Sequence, residues 1–325
     1  MNINVIYFIC LFCILPSIYF ILSLYFRRYE HIRTKNGTPL NVFLTYQVTN
    51  TIAVIYLGIT GIILYIYQEI HSYSVVNPPL YLRFELLERF LIYPMIFYQF
   101  HSIVLFLLVP IPELGSAFMF IHHLTTLLLG VFSIYPQPYL QGYSVFYFGI
   151  VELSTIFLQG IDLYKNIRYT KLYNETLFQY FQLLFAISFI SLRVALWPMI
   201  SIHFWKNSLL LLMNNQAHSK TIIAFSLGAN LYLTFLQFYW GTLVIRKMYD
   251  YINNGDNNRI FLYNFTTITT ILVSRFQTIS QHPGRSQFHE NGSKNTNTKK
   301  SDVTEKEGIG MGAEEIFGAE EFKSM

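Results

Sequence analysis

One feature repeats seven times along this chain: a run of about 20 or more mostly apolar residues, the length a helix needs to cross a bilayer. The runs cover about 3–26, 42–67, 89–109, 114–135, 140–160, 178–204 and 221–245. A soluble core cannot absorb seven such segments. Of the 325 residues, 53% are hydrophobic and 12% charged, against roughly 25% charged in soluble domains. That balance excludes a soluble enzyme, a disordered chain and a nucleic-acid-binding domain. The expected fold is all-α, a polytopic bundle of about seven transmembrane helices. The first run lacks a basic segment before it and a small-residue cleavage site after it, so it reads as a retained anchor.

The basic residues sit between the runs. Arg27, Arg28, Arg33 and Lys35 follow the first, Lys165, Arg168 and Lys171 the fifth, and Arg246, Lys247 and Arg259 the seventh. With seven spans all three clusters share one side, which the positive-inside rule makes cytosolic. The N-terminus is then lumenal or external and the C-terminus cytosolic. Residues 260–273 are apolar but short, and read as interfacial or re-entrant. From about 277 the chain is rich in Asn, Ser, Lys, Glu and Gly, and is expected to be disordered. The organisation is therefore an anchor and basic loop (1–39), a helical core (40–250), an interfacial segment (251–276) and a tail (277–325). Cys10 and Cys13, both in the first run, offer neither a disulfide framework nor a zinc site, and no metal is expected.

A few ionisable residues interrupt the apolar runs. They are His101 in the third, His122 and His123 in the fourth, Glu152 in the fifth and Arg193 in the sixth. A charge at mid-bilayer costs about 2.5–3.5 kcal/mol on insertion scales, so each should face the bundle interior. Polar and small residues recur at helical spacing beside them. Gly115, Met119, His122, Thr126, Gly130 and Ser133 share a stripe, as do Gly142, Gly149, Glu152, Thr155 and Gln159, then Gln182, Ala186 and Arg193, and then Ser226, Asn230, Thr234, Gln237 and Gly241. The second run adds Asn50, Gly58, Gly61 and Gln68. Such stripes serve as packing seams or as the walls of a shared polar cavity. Adjacent histidines point about 100° apart on a helix. His122 falls on the polar stripe, and His123, beside Phe120 and Leu127, faces a neighbouring helix. Glu152 must be protonated or paired with a His or with Arg193.

The stretches FMFIHH (118–123), ELSTIF (152–157) and SLRVALWP (191–198) together resemble the TLC domain over roughly residues 40–250. The resemblance implies a six-helix core around a central polar cavity, with the first run an added anchor, a residence in the endoplasmic reticulum and a role in lipid biology. In the ceramide synthase branch, a His pair and an Asp-x-x-Asp motif serve acyl transfer from acyl-CoA to a sphingoid base. Here the matching stretch is Glu152-Leu153-Ser154-Thr155, with the second acid replaced by Thr. The run before the His pair reads Tyr93-Pro94-Met95-Ile96, without an acid. The chain is thus more similar to TLC proteins outside the ceramide synthase branch.

His122, His123 and Glu152 are the candidate catalytic residues. His101, Thr126, Thr155, Arg193, Asn230 and Gln237 are the candidate ligand-binding ones. No cofactor is expected, and acyl-CoA would be the co-substrate if the chain is an enzyme. Membrane lipids are the expected partners, nucleic acid is not, and a homo-oligomer is allowed. Three functions remain open: lipid homeostasis or lipid binding through the cavity, N-acyl transfer of the ceramide synthase type, and a seven-helix receptor or transporter. Against the receptor, the third run ends in Val109-Pro110-Ile111-Pro112 and the seventh lacks Asn-Pro-x-x-Tyr.

Overall fold

The computed structural model describes residues 3–34, 37–70, 84–109, 117–135, 139, 141–167, 174–214 and 219–253. All belong to one unit, Met1–Leu262. The segment 260–273 and the tail from 277 lie outside the described residues. Among the described residues, seven helices follow one another: α1 (Ile3–Phe26), α2 (Leu40–Ile70), α3 (Glu85–Leu108), α4 (Ala117–Phe132), α5 (Gln141–Asn166), α6 (Glu175–Met213) and α7 (Lys220–Asn253). Of these, α2, α3, α5, α6 and α7 are each long and apolar enough to cross a membrane. α1 spans 24 residues without a charge, and α4 is apolar but only 16 residues long. The all-α membrane bundle expected from the apolar runs is the fold observed.

The bundle is turned inside out relative to a soluble one. On α2, Ile52, Ile55, Ile59, Ile63 and Ile66 are exposed, while Gln47, Thr49, Asn50 and Gln68 are buried. Lipid is as apolar as the isoleucines, so burying them gains little, whereas polar groups are costly in lipid and go inward. Gln47 Nε2, for example, donates to the Gln159 carbonyl on α5 at 2.7 Å.

Close helix contact rests on small residues. A Cβ on Gly61 of α2 would stand 2.6 Å from Gly149 Cα of α5. The two backbones therefore touch where neither residue has a side chain. This assigns the α2 stripe to packing: Gly61 meets Gly149, Gly58 meets Leu153, and no α2 residue lines the cavity described below. Around this crossing Val54, Leu57, Leu91, Met95, Val145 and Phe148 form an apolar core shared by α2, α3 and α5. A second core joins α5, α6 and α7 through Phe146, Val151, Trp197, Leu233 and Leu236.

Among the described residues, three helices open locally into π-helical turns, at Glu88–Ile92 in α3, Val145–Ile150 in α5 and Ile190–Leu196 in α6. Two of them precede a proline, Pro94 and Pro198. Proline has no N–H to give to the carbonyl four residues back, which disturbs the helical ladder there. In α3 the freed Phe90 carbonyl accepts from the Tyr56 hydroxyl at 3.0 Å. In α5 the Val151 N–H bonds the Phe146 carbonyl, five residues back, at 3.2 Å. π turns of this kind cluster at functional sites. Here each one starts with, contains or closely precedes a buried ionisable residue: Glu88, Arg193 and Glu152.

The start of α3 corrects one reading of the sequence. A run beginning at 89 leaves the segment before the His pair without an acid. The helix begins four residues earlier, at Glu85, and buries Glu88. Gln141 Nε2 donates to Glu88 and to the Ser133 carbonyl, while Gln141 Oε1 accepts from the Phe84 N–H. Gln141, with Glu88 as its partner, ties the beginnings of α3 and α5 to the end of α4.

Candidate functional site

Arg193 is the centre of the polar interior. The π turn in α6 carries it, 7% exposed. A guanidinium presents five N–H donors in a rigid fork, and here α5 and α7 answer most of them. Nε donates to Ser154 Oγ at 2.8 Å, and Nη2 to Thr155 Oγ1 at 2.9 Å and to the Val151 carbonyl at 3.2 Å. Nη1 donates to Gln237 Oε1 at 3.3 Å. Glu152 Oε1 stands 4.0 Å from Nη2 as the ionic partner. The Phe189 ring lies 5.7 Å from Cζ, within cation–π range. The Thr at position 155 thus serves as a neutral acceptor for Arg193.

Glu152 opens the α-helical part of α5 just past the π turn, which ends at Ile150. It is 7% exposed. Among the described residues no neutral donor bonds its carboxylate, and Arg193 is its ionic partner. Glu152 and Arg193 together contribute no net charge. A buried pair of this kind is stable only while both partners remain.

Beside the pair lies a cavity of about 620 Å³, mouth included, lined by α4, α5, α6 and α7. Its polar wall holds His122, Thr126, Glu152, Arg193, Ser226 and Asn230, and its apolar wall includes Leu129, Tyr147, Phe148, Trp197 and Leu233. His122 Nδ1 is buried without a hydrogen-bond partner among the described residues, and so is Ser226 Oγ. The His122 ring stands edge-on to Trp240, centroids 5.7 Å apart. Thr126 Oγ1 donates back to the His122 carbonyl at 2.9 Å. Asn230 Oδ1 accepts from Trp205 Nε1 at 2.8 Å, and Trp197 Nε1 donates to Thr234 Oγ1 at 2.9 Å.

The sequence candidates therefore divide by place. His122, Thr126, Glu152, Arg193 and Asn230 meet at the cavity, while Thr155 and Gln237 hold Arg193. His123 turns away. Its Nδ1–H donates to Gln99 Oε1 on α3, whose amide nitrogen donates to Met95 Sδ at 3.5 Å. His101 also lies apart, edge-on to Tyr19 of α1 with centroids 6.0 Å apart. Sequence reasoning missed Ser154, Gln99 and Trp240. Ser154 lies inside the ELST motif, but its role depends on an arginine 39 residues later. Gln99 is a single polar residue in an apolar run, and only the packing of α3 on α4 reveals its partner. Trp240 reads as one more aromatic of α7 until α4 brings His122 against it.

A helical bundle with an apolar exterior, a buried ion pair and five helices long and apolar enough to cross a membrane defines an integral, multi-pass membrane protein. The family model of the TLC domain (TRAM, LAG1, CLN8) matches residues 6–246. The chain therefore belongs to the TLC-domain family, which is linked to lipid biology. The matched range starts within α1, ahead of the boundary at residue 40 drawn from sequence. Searches of curated proteins and of solved structures each found no match.

Proposed function

We propose that the protein takes part in membrane lipid homeostasis by binding a lipid in the cavity between α4, α5, α6 and α7, and that it stands outside the ceramide synthase branch. The observation that carries this reading is the cavity itself, with two unpartnered polar atoms, His122 Nδ1 and Ser226 Oγ, at its wall. Isolated polar groups are costly in a bilayer unless something bonds them, and a lipid head group can. The aromatic and leucine wall suits the adjoining chain. Residence in the endoplasmic reticulum, with a lumenal N-terminus and cytosolic C-terminus, is part of the same proposal and rests on family membership and loop charge.

A second reading is acyl transfer with acyl-CoA as co-substrate. The free imidazole nitrogen of His122 favours it, since neutral imidazole is the nucleophilic and proton-accepting form. Thr155 weighs against the ceramide synthase variety, because its hydroxyl accepts from Arg193 and supplies no second carboxylate. Lipid profiling of cells lacking the protein tests both. Rescue by wild type but not by His122→Ala supports the cavity reading. An unchanged lipid profile in the deleted cells contradicts it. Robust acyl transfer to sphingoid bases by the purified protein, lost in His122→Ala and in His123→Ala, would favour the second.

A further inference from the structure

The geometry points to a cavity selective for lipids with an uncharged head that both donates and accepts hydrogen bonds, a hydroxyl or an amide, over anionic or cationic heads. The inference rests on the lipid-binding reading above and names the ligand class of that same site. Its first ground is that Arg193 is already satisfied. Four of its five donors are taken by Ser154, Thr155, the Val151 carbonyl and Gln237, and Glu152 balances its charge. An incoming phosphate or carboxylate would find few donors and would compete with Glu152 for Arg193. Whichever anion lost would sit buried and unpaired. An incoming ammonium meets the opposite problem, because it would draw Glu152 away from Arg193. Either charge strands one member of a pair that is neutral as it stands.

The second ground is what the wall leaves open. Ser226 is 1% exposed, lines the cavity and has no partner for its hydroxyl among the described residues. His122 Nδ1 is likewise free, and the Glu152 carboxylate accepts no hydrogen bond among the described residues. A hydroxyl can accept a bond or donate one, and a neutral imidazole carries one donor and one acceptor. A hydroxyl or amide head can bond groups of these kinds without bringing charge. Leaving them unbonded costs more than a made bond gains, so the head, more than the chain, decides selection.

The test uses the full chain in zwitterionic nanodiscs and four fluorescent probes that share one palmitoyl-length chain: a monoacylglycerol, a fatty acid, a lysophosphatidic acid and a long-chain amine. The two acidic probes and the amine should bind at least about tenfold more weakly than the monoacylglycerol, about 1.4 kcal/mol. Glu152→Gln leaves Arg193 without its counter-ion. It should raise fatty-acid affinity relative to the monoacylglycerol by about tenfold or more. Ser226→Ala should weaken monoacylglycerol binding by about fivefold, one neutral hydrogen bond. Fatty acid, phosphate or amine binding as tightly as the monoacylglycerol in the wild type would overturn the selectivity. Failure of all four probes to bind would instead overturn the lipid-binding reading beneath it. The wild-type ranking decides even if a variant does not fold.

Discussion

Removing Arg193 should harm the protein far more than neutralising Glu152. Arg193→Met strands a buried carboxylate and also empties the acceptors on Ser154, Thr155 and Val151, a loss of about 3–5 kcal/mol. Glu152→Gln also leaves a buried charge without its counter-ion, but the neutral bonds to Arg193 stay in place, so its loss should be smaller by about 1–3 kcal/mol. Thermal unfolding in detergent measures the difference, and equal losses would mean that the ion pair, not the neutral fork, holds Arg193. Much of this site could be read from the sequence. An arginine, a glutamate and a histidine at helical spacing within apolar runs have few places to go in lipid, and Arg193, Glu152 and His122 do meet. What could not be read is which neutral groups satisfy them. Ser154 and Gln237 become partners of Arg193 only because α5, α6 and α7 converge there, and nothing local to either residue encodes that. The adjacent histidines separate as their 100° offset requires, with His123 bonded to Gln99.

At the scale of elements, the crossing of α2 and α5 offers the sharpest contrast. Gly149→Val would push a side chain into the Gly61 backbone, where a Cβ alone already comes within 2.5 Å. Backbone cannot rotate aside, so the helices must separate, and folded yield should collapse. Gly228 on α7 has nothing within 4 Å of an added Cβ. Gly228→Ala should be tolerated and should gain up to about 1 kcal/mol of helix propensity. Yield of monodisperse protein and melting temperature together check the pair; similar behaviour of the two variants would contradict the crossing. Helix existence was legible from hydropathy, whereas helix ends were not. Polar residues such as Glu88 that begin a helix inside the bundle look like loop residues in a hydropathy reading. The π turns were equally hidden. Pro94 and Pro198 signal a disturbed ladder, but proline alone does not say that the helix will continue through it.

For the whole molecule, orientation and lipid occupancy are the main consequences. On the proposed topology the sequon at Asn174 faces the cytosol. There its side chain caps α6 by accepting from the Leu177 N–H at 3.0 Å. Asn174 should therefore carry no glycan, and a glycosidase-sensitive mass shift traced to it would reverse the topology. α6, with 39 residues, is about 58 Å long at ~1.5 Å per residue and must extend beyond a hydrocarbon layer of about 30 Å. The described part of α4, 16 residues, is about 24 Å long at ~1.5 Å per residue. The central claim, that the cavity between α4 and α7 holds a lipid, is tested most directly by native mass spectrometry of the full chain released from nanodiscs. Wild type should retain a bound lipid. A variant with the cavity partly filled, Ser226→Val, should retain less of it while keeping its helical content. Equal lipid retention by the wild type and by the folded, partly filled variant would contradict the account.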